Sequence, residues 1–150
     1  MAVQSRAARL APVVDMAEAD EREAARNLGK CQTLLNQAEG KLQSLHQYLN
    51  DYQQQWITEG RQGVSGQWLM NYQRFLAQLE TAINQQNQSV AWNRNNLDKA
   101  REIWQQRYAR LEGLRKLVQK YLDEARVAAD KREQKLLDEL SQRLLQRERN

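Results

Sequence analysis

Apolar residues recur along this chain at alternating steps of three and four. From Val14 the series runs through Ala17, Glu21, Ala24, Leu28, Cys31, Leu35, Ala38, Leu42, Leu45, Leu49 and Tyr52 to Trp56. A second series starts at Leu69 and passes through Tyr72, Leu76, Leu79, Ile83, Gln86, Val90, Asn93, Leu97, Ala100 and Trp104. It continues through Arg107, Leu111, Leu114, Val118, Tyr121 and Ala125 to Ala128, after which the phase slips and Leu136, Leu137, Leu140 and Leu144 carry it on. That spacing keeps one face of a helix apolar and is the heptad signature of a coiled coil. Between the two series lies Gly60-Arg61-Gln62-Gly63-Val64-Ser65-Gly66, three glycines in seven residues, which allow a cheap chain reversal.

The pattern predicts an all-α fold: two long helices forming an antiparallel coiled-coil hairpin, the second longer than the first. Residues 1–150 form one such domain, with a helix over about 12–57, a turn at 58–66 and a helix over about 67–147. Pro12 suits the first turn of a helix and marks the expected start. Ser65 is the expected N-cap of the second helix. Folding one series onto the other about the turn sets Tyr52 against Tyr72, Leu42 against Ile83, Leu35 against Val90 and Leu28 against Leu97. Polar positions coincide with small ones, Ala38 with Gln86 and Cys31 with Asn93, and such layers fix register at some cost in stability. Because two independently read series agree, the hairpin is the consistent solution.

Composition changes this picture little. Charged residues make up 28% of the chain and there is one proline, a balance that suits a coiled coil better than a packed globule. The net charge of +4 is unevenly placed, with Asp15, Glu18, Asp20, Glu21 and Glu23 early in the first arm and arginines and lysines through the second. Acidic or mixed protein partners fit that balance, and a nucleic-acid-binding helical hairpin is the alternative from another class. One cysteine excludes an internal disulfide and fits a reducing compartment. The first ten residues have no apolar core of a signal peptide, and no run approaches the roughly 20 apolar residues of a membrane span.

Candidate chemistry is sparse. A single histidine, His46, and a single cysteine, Cys31, do not make a zinc site. The glycine turn lacks the Gly-Lys-Ser/Thr ending of a phosphate-binding loop. No catalytic residue, metal or cofactor is expected, and the chain reads as non-enzymatic. Two surfaces stand out instead. Aromatics crowd the turn end, where Leu45, Tyr48, Tyr52, Phe75, Leu79 and Ala82 widen the apolar face beyond what one neighbour buries. The second helix also outruns the first, so Val118, Leu122, Ala125, Leu136, Leu140 and Leu144 are expected to lie uncovered. Stripes of this kind mark contact surfaces, with self-association or fraying as the bland alternatives.

The stretches Leu28-Gly29-Lys30-Cys31, Tyr48-Leu49-Asn50-Asp51-Tyr52 and above all Trp68-Leu69-Met70-Asn71-Tyr72-Gln73-Arg74-Phe75 resemble the FliJ family of the bacterial flagellar export apparatus. The likeness covers nearly the whole chain. It implies a cytoplasmic type III export component, peripheral at the inner face of the membrane and needed for flagellum assembly and motility. It further implies an antiparallel hairpin similar to a rotary ATPase stalk. The partners it implies are the hexameric export ATPase, the cytoplasmic domain of the membrane export gate and export chaperones, without nucleic acid or membrane insertion. In that light the tail stripe from Val118 to Leu144 suits the ATPase ring and the turn-end patch suits the gate. The equivalent stalk protein of a virulence secretion system is the nearest rival.

Overall fold

The computed structural model describes residues 5–149. Helix α1 spans Arg6–Gly60 and helix α2 spans Gly66–Arg149, 55 and 84 residues, and among the described residues there is no strand. The two helices pack against each other antiparallel, and the second is the longer. The chain divides into two units, each with residues from both helices. One is Glu23–Gln105, and the other is formed by the chain up to Arg22 together with the chain from Gln106 onward.

Within Glu23–Gln105, Leu35, Ala38, Val90 and Leu97 form a buried cluster, against which Leu28, Cys31 and Leu42 pack. These are heptad positions of both series, so the periodicity becomes the core directly. Gln86 is buried as well, and its Nε2 donates to the Ala38 carbonyl at 2.9 Å. That bond satisfies a polar group which would otherwise cost about 1–3 kcal/mol. The alanine opposite leaves the amide room to reach the backbone. Arg94 pairs with Glu39 at 3.1 Å on the flank, half-exposed and so of small energetic weight.

In the other unit Ala7, Ala17 and Leu111 are buried, Ala17 to 2% exposure. The acidic start of α1 meets basic residues of α2 here: Arg115 reaches Glu18 at 3.3 Å, and Arg110 reaches Asp20 at 3.9 Å. Hydrogen bonds to Glu112 and then Glu18 raise the Arg115 pKa above its ordinary value. Part of the charge asymmetry read as an offer to outside partners is thus used between the helices.

The ends of the helices differ from the sequence expectation. Helix α1 begins at Arg6, not near Pro12, because Ser5 caps it: the Ser5 hydroxyl accepts from the Ala8 N–H at 3.1 Å. Pro12 lies inside the helix and withholds one backbone donor there, a cost of about 3 kcal/mol that packing must offset. At the reversal, helix α1 runs on through Gly60 and α2 starts at Gly66, leaving residues 61–65 between them. Among the described residues only Gly63 has positive φ, at 85°. Ser65 caps α2, accepting from the Trp68 N–H at 3.1 Å.

Candidate functional site

The first candidate surface lies at the turn end of Glu23–Gln105. Tyr48 and Tyr52 are four residues apart on α1, one turn of one face, and Tyr72 and Phe75 are similarly placed on α2. The reversal brings the pairs together. Tyr52 stacks on Tyr72 at 5.0 Å and meets Phe75 at 4.4 Å, while Tyr48 lies 6.0 Å from Phe75. Trp56 and Trp68 add to the far side, each stacked on Tyr72, at 5.1 and 5.8 Å. The Trp68 indole N–H donates to Glu59 across the turn at 3.0 Å.

The six residues expected there do not share one role. Tyr48 is 56% exposed and forms the accessible crest. Leu45, Tyr52, Phe75 and Ala82 are half-buried, and Leu79 is buried at 6% exposure, inside the seam. Leu79 therefore supports the surface from beneath. Exposed Ile57, Leu69 and Met70 extend apolar surface toward the reversal. Trp56, the last residue of the first apolar series, and Trp68 lie outside the six residues expected from the sequence. Glu59 was not expected there, and its signal in the sequence is the nine-residue separation from Trp68 across the turn. Burial, then the neighbouring Tyr72 and Tyr48 phenols and the Glu59 carboxylate, push the Tyr52 pKa up.

The second candidate surface is the end of α2. From Leu122 to Arg149 every described residue is exposed. Leu122, Ala125, Leu136, Leu140 and Leu144 stand on it as expected from their spacing, Leu144 at 61% exposure. Val118 does not belong with them. It is half-buried and lines a groove with Ala7, Ala11 and Val14, because α1 starts six residues ahead of Pro12 and covers it. The Arg6 guanidinium lies 5.5 Å over the Tyr121 ring, and the bare stretch begins at the next residue. Leu137, Leu145 and Val127 are also exposed and broaden the apolar surface.

Among the described residues, no group of three or more His, Cys, Asp or Glu is placed to hold a metal ion. No helix of the described residues is long and apolar enough to cross a membrane.

A family model described as "Flagellar FliJ protein" matches residues 5–150. The chain belongs to the FliJ family. It is similar to the flagellar FliJ protein of Escherichia coli (strain K12), 32% identical over 138 residues that cover 92% of this chain and 94% of that protein. It is also 32% identical to the flagellar FliJ protein of Salmonella typhi over 133 residues, 89% of this chain and 90% of that one. The match takes in both the aromatic turn end and the bare end of α2, the two surfaces singled out above.

Proposed function

We propose that this chain is a non-enzymatic, cytoplasmic component of the flagellar protein export apparatus, peripheral at the inner face of the membrane. It works as a single domain that links the hexameric export ATPase to the cytoplasmic part of the membrane export gate and to export chaperones. The observation that carries this reading is the family match over almost the entire chain, since a partial match would leave one surface without a counterpart. The structure supports it by leaving apolar side chains accessible at two places.

In this reading the end of α2 enters the ATPase ring through Leu122, Leu136, Leu140 and Leu144, with Ala125 letting the ring approach the backbone. Val118 sits at the margin of that contact, already covered by α1. The aromatic crest presents Tyr48 to the gate, with Tyr52, Phe75, Leu45 and Ala82 around it and Leu79 beneath. Lys131, Arg132, Lys135, Arg143 and Arg147 steer docking, a salt-sensitive effect on association rate.

Two experiments test the two halves. Tyr48→Ala combined with Phe75→Ala is expected to weaken binding to the gate domain with far-UV helicity retained; unchanged affinity removes the crest from that role. Deleting Leu136–Asn150 is expected to abolish stimulation of the ATPase ring. Stimulation that survives the deletion removes the tail.

A further inference from the structure

The bare stretch of α2 has its own periodicity. Leu122, Ala125, Ala129, Glu133, Leu136, Leu140 and Leu144 follow steps of three, four, four, then three, four, four. An eleven-residue repeat of this kind keeps its stripe in line on a nearly straight helix, unlike the heptads that precede it. The stripe is graded in size. Its first half carries Ala125 and Ala129, and its second half carries Leu136, Leu140 and Leu144. Charge is graded too: the stretch opens on Asp123 and Glu124 and closes on Arg143, Arg147 and Arg149.

We propose that this stripe docks a second copy of this chain, tail against tail and antiparallel. Helix spacing depends on the side chains at the contact, running about 8–10 Å between axes. A parallel pair sets alanine on alanine at one end and leucine on leucine at the other, so no single spacing suits both. It also brings two Glu133 carboxylates together within the stripe. An antiparallel pair sets the leucine half of each copy into the alanine half of the other, at one spacing throughout. It also lays the acidic opening beside the basic close.

One register satisfies all of this. Leu140 packs over Ala129 of the second copy and Leu144 over Ala125. Arg132 and Glu139 then lie on the same flank within reach of each other across the contact, twice by symmetry. Arg147 falls at the level of Leu122, where the exposed stretch of the other copy begins, next to Tyr121 beneath Arg6. This pairing and the ATPase ring claim the same stripe, so the pair is a form in which the free protein shields it and from which the ring must release it.

The test uses the full chain. Sedimentation equilibrium is expected to give a reversible dimer, and Glu139→Arg to raise its Kd about tenfold, since an exposed ion pair becomes a repulsion at two places. Adding Arg132→Glu restores the pairing with the charges exchanged. Orientation is read with Cys31 replaced by serine: Ala129→Cys mixed with Leu140→Cys forms a disulfide between copies, and Ala129→Cys alone does not. A monomer at every concentration overturns the proposal, as does a disulfide from Ala129→Cys alone or a double reversal as weak as the single one. Far-UV helicity checks each variant. A monomeric outcome leaves the ring reading standing, because ring stimulation is measured separately.

Discussion

Residues 23–105 and the end of α2 beyond Tyr121 carry the same kind of apolar stripe and have opposite fates. In the first, Leu35, Val90 and Leu97 sink to 6%, 7% and 5% exposure against the facing helix. In the second, Leu136, Leu140 and Leu144 stand at 45% or more. The difference lies in supply: α2 has 84 residues and α1 only 55. Periodicity states that a face wants covering. Whether it is covered depends on how much chain faces it, and the remainder stays exposed.

The comparison breaks first under truncation of leucines. Leu97→Ala is expected to cost about 3 kcal/mol of stability through lost burial and a cavity. Leu140→Ala, from the bare stretch, should cost under about 0.5 kcal/mol in the monomer. Urea melts of both variants check this, and equal losses would mean the tail is packed in solution. The next effect is at the reversal. Ser65→Ala removes the cap of α2 and should cost about 1 kcal/mol, as should Gly63→Ala, which strains the positive φ. Both belong to the covered unit, so they should lower its melting temperature and leave the tail's contacts untouched.

The smallest effect is in alkali. The Tyr52 pKa is raised in the folded chain from an ordinary 10.0, chiefly by burial. The folded state therefore prefers the neutral phenol. That contribution is fully present below about pH 10 and is lost as pH rises through the higher folded value. Melting temperature should fall less steeply above pH 10 in Tyr52→Phe than in the parent. Parallel falls would place Tyr52 outside the stacked rings.

Much of the fold was legible because a heptad seam is written one residue at a time. The pairing of Tyr52 with Tyr72 and of Gln86 with Ala38 followed from counting outward from the glycines. The start of α1 was not. Pro12 is a strong local signal, and it was outweighed by a serine cap seven residues earlier and by packing onto α2. That shift carried Val118 from the bare stretch into a groove. The turn-end patch was legible as a cluster and not as a surface. Leu79 and Tyr48 look alike in a widened stripe, and only the facing helix decides that one is sealed and the other open. The facing helix also uses part of the charge: Glu18 and Asp20 are engaged by Arg115 and Arg110.

Beyond Tyr121 the backbone of α2 rests on its own hydrogen bonds and on short-range pairs such as Gln119 with Asp123 and Arg126 with Asp123. A lone helix of that kind opens and recloses often, so its amide protons trade with deuterium quickly. Any molecule that grips the leucines halts the opening. Mass shifts of tryptic peptides from this stretch, taken seconds after dilution into heavy water, therefore clock its occupancy without a label.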